Sequence, residues 1–470
     1  MKQFFFIGLL LLTGHQVLFP QDYYIVRRSR ISTNIHNERA PMPLGDSLLV
    51  YISTRSINSA KLNLDQNGND FFYMFVSRTD GRNFGGGKDV VFSERNELGT
   101  GPCSFARNGN LMVFSQYYAP NRLGAKSIGL FFADRDDNRW INIRPFEHND
   151  PDNVLYTPFI TENGNTLYFS ADFDDAIGGY DIYVSYLKGS RWTVPENIGR
   201  SINTEHTEFY PFYHPIGRLY FSSDGFDTRG GFDIFQSEFF KGQWMPAEKL
   251  PFSRINSPND DYALVMADNF ESGYFERRGA TYDIYEFSTD IPVFKESEKF
   301  KSNYHRRFLL KDNSLDQDTI DPELFEMAWI IDDTIKFPGS EVIYAFPGPG
   351  TYRVRFEVYD KLLDSTRVVL DKNQIIPYRI QAAISCPDTV RVNQLFRVDA
   401  RETNLPDFEI DQYYWDFGDG IKGEGIESSH SYGYPGNYRI ILGVREKVTN
   451  RRDEPELRSN FKDIVVIPGS

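Results

Sequence analysis

The sequence predicts an all-β protein in which a five-bladed β-propeller, with six blades as the alternative count, precedes two immunoglobulin-like β-sandwiches. One observation behind this prediction is a repeat of about 50 residues in the first part of the chain. Another is a second, different repeat in the C-terminal part. The third is composition, because 40% hydrophobic and 16% aromatic residues suit packed β-sheets and argue against a disordered chain.

The propeller prediction starts from two nearly identical segments. Residues 167–192 read LYFSADFDDAIGGYDIYVSYLKGSRW, and residues 219–244 read LYFSSDGFDTRGGFDIFQSEFFKGQW. Each contains a short apolar strand, an acidic turn with glycines, a strand that alternates aromatic and polar residues, and a tryptophan after a further turn. Four short strands in about 50 residues match one propeller blade, whereas a β-solenoid needs shorter repeats.

The repeat extends over five units, which lie at residues 34–94, 95–148, 149–202, 203–255 and 256–290. The fifth unit stops before its tryptophan, so it lacks its outer strand. An alternating stretch, DYYIVRRSR at residues 22–30, is left over before the first unit. We therefore predict that this stretch supplies the missing strand and closes the ring, which leaves few open sheet edges.

These segments resemble the WD40-like repeats of the TolB type, known as PD40, in the form found in envelope proteins of Bacteroidota. The resemblance covers residues 22–290 and rests on the order of strand, Ser-Asp turn, Gly-Gly, aromatic-Asp-Ile-aromatic and Trp. It implies that the LYFS strand lies near the central axis and that the acidic turn lies at one rim.

The second repeat, in the C-terminal part of the chain, is recognised from a tryptophan and a tyrosine that recur at the same spacing. The distance in sequence from Trp329 to Tyr352 equals that from Trp415 to Tyr438, and a Pro-Gly step precedes each tyrosine. A Trp carried on a strand fills the space between two sheets, and glycines and aspartates form the tight turn that follows. Two copies of one small β-sandwich are therefore predicted.

The later copy resembles the PKD domain, an immunoglobulin-like β-sandwich. It contains YYWDFGDG at residues 413–420 and HSYGYPGNYRIILGV at residues 430–444, which match the signature of that domain. The earlier copy, with AWIIDD at residues 328–333, departs from the signature and is assigned from its equal spacing.

The N-terminus predicts export. Lys2 precedes the apolar run FFFIGLLLL at residues 4–12, which has the length of a signal-peptide core and is too short to span a bilayer as a mature helix. We therefore expect a signal peptide at 1–21, the propeller at 22–290, a divergent PKD-like sandwich at 291–375 and a PKD sandwich at 376–470. No mature transmembrane helix is expected.

Charge limits the classes of partner. The formal net charge of −15 disfavours nucleic acid and anionic membrane surfaces, because both require clustered cationic side chains. Cys103 and Cys386 lie far apart in different predicted domains, so each is expected to be an isolated thiol.

Acidic clusters in the blade turns raise the question of calcium, which takes six to eight oxygen ligands. The clusters recur at equivalent positions in successive blades, where Asp is also favoured as a turn-forming residue. We expect solvated turns with no cofactor, and calcium is the alternative. The residues concerned are Asp134, Asp136, Asp137, Asp172, Asp174, Asp175, Asp224 and Asp227.

No catalytic, cofactor-binding or metal-ligating residue is assigned from the sequence. Most of the Tyr and Phe residues alternate with polar residues in strands, which is the pattern of a core. Four aromatic residues near the acidic turns are candidates for an interaction rim, because aromatic anchors dominate binding at interfaces. They are Tyr117, Tyr118, Phe173 and Phe226.

The expected function is that of a non-enzymatic exported scaffold, periplasmic or associated with the outer membrane, that binds other envelope proteins. The arrangement is similar to accessory proteins of the type IX secretion and gliding machinery. The alternative is a surface glycan-binding or adhesion protein, because PKD domains often act as spacers in such proteins. An enzyme with a site on the propeller axis is a third reading, and fold alone does not choose among the three.

Overall fold

The computed structural model describes residues 23–55, 71–79, 87–93, 99–120, 126–289, 291, 307–311, 323–348, 350–376, 381–448 and 455–469. The chain divides into two compact units, Met1–Pro292 and Val293–Ser470. The predicted signal peptide at 1–21 lies outside the described residues.

The first unit consists of five sheets of four or five strands, which are the blades of a propeller. The chain begins with β1 (Tyr24–Arg28), which belongs to the last blade. Blade 1 contains β2 (Glu38–Leu44), β3 (Leu48–Ser53), β4 (Tyr73–Arg78) and β5 (Lys88–Asp89). Blade 2 contains β6 (Val91–Phe92), β7 (Thr100–Ala106), β8 (Leu111–Pro120), β9 (Lys126–Asp136) and β10 (Arg139–Pro145).

The next three blades follow the repeat most closely. Blade 3 contains β11 (Leu155–Ile160), β12 (Thr166–Ala171), β13 (Asp181–Lys188), β14 (Arg191–Trp192) and β15 (Glu196–Asn197). Blade 4 contains β16 (Glu208–His214), β17 (Arg218–Ser223), β18 (Asp233–Phe240), β19 (Gln243–Trp244) and β20 (Glu248–Lys249). Blade 5 contains β21 (Asp261–Met266), β22 (Ser272–Arg278) and β23 (Tyr282–Thr289), and β1 completes it.

The ring is closed by the N-terminal strand, which confirms the prediction made for residues 22–30. Strand β1 pairs antiparallel with β23, from Tyr24 opposite Thr289 to Arg28 opposite Tyr285. The Tyr24 side chain is fully buried, and its hydroxyl donates a hydrogen bond to the Phe270 carbonyl at 2.7 Å.

The strands that line the axis are β2, β7, β11, β16 and β21, because each of them contacts the next and β21 contacts β2. The LYFS strands, β12 and β17, are second in their sheets. The LYFS strands therefore lie near the axis, one strand away from it. The strand before each of them lines the axis, because its prolines and bulge suit an edge position and not the middle of a sheet.

Consecutive blades are joined by side chains that mimic a peptide group. The Asn203 amide accepts a hydrogen bond from the Ile182 N–H at 2.8 Å and donates to the Ile182 carbonyl at 2.9 Å. Asn256 makes the same pair of bonds to Ile234, and Asn149 makes it to Leu130. At the closing blade the Ser32 hydroxyl takes this place, accepting from the Ile284 N–H at 2.8 Å.

The second unit contains two sandwiches, each built from a larger and a two-stranded sheet. The first is formed by β24 (Arg307–Lys311), β25 (Phe325–Ile331), β26 (Ile335–Pro338), β27 (Glu341–Ala345), β28 (Gly350–Asp360) and β29 (Ser365–Ile376), in sheets β26-β25-β28-β29 and β24-β27. The second is formed by β30 (Thr389–Arg391), β31 (Phe396–Asp399), β32 (Ile410–Asp416), β33 (Lys422–Glu424), β34 (Glu427–His430), β35 (Gly436–Glu446) and β36 (Leu457–Ile467), in sheets β30-β36-β35-β32-β33 and β31-β34.

The two sandwiches each contain the same two kinds of interior hydrogen bond, one from a tryptophan and one from a tyrosine. The buried Trp329 indole donates to the Ser340 carbonyl at 3.0 Å, and Trp415 donates to Gly425 at 2.9 Å. The Tyr352 hydroxyl donates to the Gly348 carbonyl at 2.9 Å, as Tyr438 does to Tyr434 at 3.1 Å. The divergent first copy therefore keeps the same core, since a buried indole or phenol requires such a partner.

Candidate functional site at the axial mouth

All five axial strands carry a β-bulge at the same place. The last residues paired before the bulge form one layer around the axis, which we call the upper ring: Arg39, Thr100, Tyr156, Phe209 and Tyr262. The residues that follow them form the next layer, the floor ring: Ala40, Gly101, Thr157, Tyr210 and Ala263. Because the bulge lies at the same position of each axial strand, every blade contributes one residue to each of these two layers.

The floor ring is held in an unusual backbone conformation. Ala40, Thr157, Tyr210 and Ala263 have φ values of 52°, 44°, 55° and 52°, in the left-handed region that residues with side chains rarely occupy. Proline follows the floor residue in four of the five blades. Residues with such strained backbone conformations cluster at functional sites, so the floor ring marks the axis as a candidate functional site.

Tyr210 closes the axis. The other floor residues are small, and Tyr210 of blade 4 packs in one cluster with Ala40 and Ile52 of blade 1 and Ala263 of blade 5. At the floor ring is a cavity of about 20 Å³, lined by four of the floor residues and by the residues that follow them, which include four prolines. A space of this size holds about one water molecule.

The Tyr210 side chain is 8% exposed, and its hydroxyl has no hydrogen-bond partner among the described residues. The Thr100 hydroxyl of the upper ring is likewise buried without a partner there. A buried polar group left in this state costs free energy, which a ligand with a matching donor or acceptor would recover.

An ion pair joins blades 1 and 5 at this layer. The Arg39 Nε donates to Glu276 Oε1 at 2.7 Å, and the Ala40 N–H donates to Glu276 Oε2 at 3.0 Å. Glu276 is fully buried, whereas the Arg39 side chain is 18% exposed. The Arg39 guanidinium also lies 3.9 Å from the centroid of the Tyr282 ring and 5.7 Å from that of Tyr262.

Burial raises the pKa of the Glu276 carboxyl, although Arg39 and the Ala40 N–H oppose the shift. Burial alone would lower the pKa of Arg39, but Glu276 and, to a smaller extent, the neighbouring tyrosines together raise it above its usual value. Burial also raises the pKa of Tyr156, to about 12. The phenol of Tyr156 is therefore neutral at physiological pH, and Arg39 is a cation.

Aromatic rings continue outward from the upper ring. The Phe209 ring centroid lies 5.0 Å from that of Tyr180 and 6.1 Å from that of Phe232. Phe232 in turn lies 4.8 Å from Tyr262. Tyr180, Phe232 and Tyr282 are the first aromatic residues of the repeated aromatic-Asp-Ile-aromatic motif, and all three are half-buried.

These side chains form a continuous series of contacts over blades 3, 4, 5 and 1, in which Tyr210 and Tyr262 are buried and the others are half-buried. We call it the aromatic mouth and define it as Arg39, Tyr156, Tyr180, Phe209, Tyr210, Phe232, Tyr262 and Tyr282. It combines flat apolar faces with one cation and several neutral hydroxyls.

The rim residues named from the sequence lie elsewhere. Phe173 packs edge-on against Tyr183 at 4.9 Å, and Phe226 packs against Phe235 at 4.8 Å, so each belongs to the interior of its own blade. Tyr117 lies 5.8 Å from Phe71 in a T-shaped contact. Tyr118 is in β8, and its side chain lies outside the described residues. Their role as an interaction rim stays a prediction.

The Asp of the repeated aromatic-Asp-Ile-aromatic motif holds the acidic turn together through hydrogen bonds. Asp181 is fully buried and accepts hydrogen bonds from the Ile177 N–H at 2.6 Å, the Gly178 N–H at 3.1 Å and the Asn197 amide at 2.7 Å. This carboxylate is therefore used to hold the turn closed, which supports a structural role for the turn.

The partner of this Asp changes from blade to blade. Asn197 of blade 3 is replaced by Lys249 in blade 4, whose ammonium lies 3.5 Å from Asp233 and 3.9 Å from Asp227. In blade 5 the same position is held by Arg28 of β1, 2.8 Å from Asp283. Within the described ranges, no three His, Cys, Asp or Glu side chains are grouped so that they could hold a metal ion.

Sequence reasoning missed the aromatic mouth, although part of its signal is local. The phrases RAPM, TGPC, YTPF and FYPF recur at the start of four blades and mark the bulge. Arg39 and Glu276 had no such signal, because they are 237 residues apart in the sequence, in the first and last blades, and come into contact only when the ring closes.

Comparison with known proteins identifies one domain. Residues 381–456, which hold the buried Trp415, match the PKD domain family. The chain contains a PKD domain. The part of the chain that the structure describes contains no helix with the length and hydrophobicity that crossing a bilayer requires.

Collagenase ColA of Clostridium perfringens (strain 13 / Type A) is 26% identical over 207 residues, which are 41% of this chain and 18% of the collagenase. This chain thus matches less than a fifth of that relative. Among solved structures, a glycoside hydrolase has a TM-score of 0.39 at 10% identity, covering 59% of this chain and 93% of the hydrolase. Prolyl oligopeptidase B from Galerina marginata has a TM-score of 0.31 at 10% identity, covering 88% and 47%.

Proposed function

We propose that the protein is an exported, non-enzymatic scaffold that binds other proteins of the cell envelope through the aromatic mouth. The observation that carries the proposal is the composition of that surface, where Tyr and Phe rings lie beside Arg39 and where a second arginine, Arg278, lies 5.4 Å from the centroid of the Tyr282 ring. Tyr and Arg are enriched among the residues that dominate binding energy at protein interfaces, and charged residues other than Arg are depleted there.

The state of the ionisable groups supports a binding role over catalysis. A general acid or base must reach the proton that it transfers, and it needs room for a substrate beside it. The Glu276 carboxylate is fully buried and accepts from Arg39 and the Ala40 N–H. The cavity next to the floor ring holds about 20 Å³.

Export and envelope location belong to the same proposal. They are supported by the apolar run at residues 4–12 and by the PKD domain at residues 381–456. The resemblance of residues 22–290 to PD40 repeats adds the narrower proposal of an accessory role in type IX secretion or gliding, with outer-membrane or periplasmic proteins as partners.

A second candidate function is glycan binding, and one observation favours it. Among the residues that the structure describes, the hydroxyls of Tyr210 and Thr100 are buried without hydrogen-bond partners, and the Tyr210 ring centroid lies 6.2 Å from that of Tyr262. A sugar presents hydroxyls for hydrogen bonds and an apolar face for stacking, so it would satisfy both kinds of group.

The test uses two mouth variants, Tyr180→Ala and Phe232→Ala, with Val194→Ala as the control because Val194 is 72% exposed and outside the mouth. The full-length variants are compared in quantitative capture from solubilised envelopes and on a glycan array. We expect wild type and control to retain the same outer-membrane protein and each mouth variant to lose at least about tenfold of it. Saturable glycan binding that depends on Tyr180 would favour the second function, and capture unaffected by both substitutions would contradict the proposal.

A further inference from the structure

A hairpin in the first sandwich presents two adjacent leucines to solvent. Strands β28 and β29 are joined by the turn Lys361–Asp364, in which Leu362 is 74% exposed and Leu363 is 73% exposed. Turns of this kind favour Gly, Asn, Asp, Ser and Pro, each for a conformational reason that leucine does not share. Packing of the described residues does not account for these two side chains.

The tip is held in a fixed conformation. The Asp360 Oδ1 accepts hydrogen bonds from the Leu362 N–H at 2.9 Å and the Leu363 N–H at 3.1 Å. The Tyr359 hydroxyl donates to Asp364 Oδ1 at 2.6 Å on the other side of the turn. A turn ordered in this way presents its side chains with little entropy left to lose on binding.

The second sandwich provides an internal comparison. Its strands β35 and β36 are the counterparts of β28 and β29, and the sequence that joins them at residues 447–456 reads KVTNRRDEPE. That connection contains no leucine, and its one large apolar side chain, Val448, is followed by polar residues and a proline. The sandwich fold therefore does not require leucines at this place, and their presence calls for another reason.

Charge near the tip indicates the kind of surface that it meets. Asp360 and Asp364 flank the leucines, and Glu326 lies on the neighbouring strand, 3.4 Å from the Lys361 ammonium. Carboxylates beside so small an apolar area disfavour insertion into a lipid surface, which attracts basic segments and needs a larger apolar face. A convex tip of this composition fits a concave apolar site with basic residues at its edge.

We propose that the Leu362–Leu363 tip is a docking knob that inserts into an apolar pocket, bordered by Arg or Lys, on a partner protein. This contact is separate from the aromatic mouth and does not depend on it. Replacing both leucines should weaken the complex roughly 30-fold or more, given the area that two leucines remove from water on burial.

The first step of the test is to find the partner by position-specific cross-linking. A photo-reactive phenylalanine is placed at Leu363 in the full-length protein, and the control position is Leu395, which is 67% exposed in the second sandwich. We expect a protein adduct in native envelopes at position 363 that is absent at position 395 and unchanged by Tyr180→Ala. Failure to obtain an adduct specific to position 363 overturns the proposal.

The second step measures binding of that purified partner. The double variant Leu362→Ser with Leu363→Ser should bind roughly 30-fold more weakly, Leu395→Ser should bind like wild type, and affinity should fall as NaCl is raised from 50 to 500 mM, roughly the range over which surface charges become screened. Both leucines are exposed, so the double variant should unfold at the temperature of wild type. Equal affinity of the double variant, leucine-dependent flotation with phosphatidylethanolamine–phosphatidylglycerol vesicles, or leucine-dependent self-association would each overturn the proposal.

Discussion

Removing the Tyr24 side chain should open the propeller ring. Tyr24 is fully buried, with its ring centroid 4.7 Å from Phe252 and 4.9 Å from Phe287. Replacing a buried aromatic residue by alanine costs about 3 to 5 kcal/mol, and the lost hydrogen bond to the Phe270 carbonyl adds about 1 kcal/mol. Tyr24→Ala is therefore expected to lower the free energy of unfolding of the propeller by about 4 to 6 kcal/mol.

Two further variants make the Tyr24 measurement specific. Tyr24→Phe keeps the ring and should cost only about 1 kcal/mol, and Arg27→Ala on the exposed side of β1 should change stability by no more than about 0.5 kcal/mol. Urea unfolding followed by tryptophan fluorescence gives the free energies, and limited proteolysis reports whether the edge of β23 becomes accessible. If Tyr24→Ala proves as stable as Arg27→Ala, β1 does not hold the ring closed.

Four further predictions concern single side chains. Asn256→Ala should cost about 1 to 3 kcal/mol in urea unfolding, because it leaves the buried Ile234 N–H without its partner, whereas the Ile234 carbonyl still accepts from the Leu250 N–H. Burial raises the pKa of Cys103, so its thiol should react with a disulfide reagent only after denaturant is added, and prompt reaction in the native state would contradict this. Burial raises the pKa of Asp261 to about 6 in spite of Arg277 and Ser257, so the folded state holds this proton more tightly than the unfolded chain. The contribution of Asp261 to stability should therefore fall as pH rises from about 4 to about 6, and a slope unchanged in Asp261→Asn would refute the assignment. Tyr210→Phe removes a hydroxyl that has no partner in the described part of the chain, so it should leave stability unchanged or slightly raised, while any ligand that bonds to this hydroxyl should bind more weakly.

The architecture was readable from the sequence because it is built from repetition. The fifth unit lacked a strand, and residues 22–30 had the alternation to supply it, so the β1–β23 pair could be predicted. The sequence contains a further signal for the same pairing, because SRIS at residues 29–32 matches SRIN at residues 253–256. Each segment buries its isoleucine, and its last residue accepts a hydrogen bond from a backbone N–H of the adjacent blade.

The site was not readable in the same way. The order of strands within a blade does not change the alternation of side chains, so the sequence places LYFS near the axis but does not identify the preceding strand as the one that lines it. The aromatic mouth depends on the bulge of each axial strand and on contacts such as Arg39 with Glu276, which cross the closure of the ring. Phe173 and Phe226 lie in the acidic turns, and a turn position does not reveal which ring an aromatic residue packs against, as Phe173 does with Tyr183 and Phe226 with Phe235.

The most direct test of the proposed function is the dissociation constant of a purified envelope partner for wild type, Tyr180→Ala, Phe232→Ala and Val194→Ala. Binding through the aromatic mouth predicts that the two mouth variants bind at least about tenfold more weakly, with wild-type affinity for Val194→Ala. Equal dissociation constants for all four proteins would contradict it.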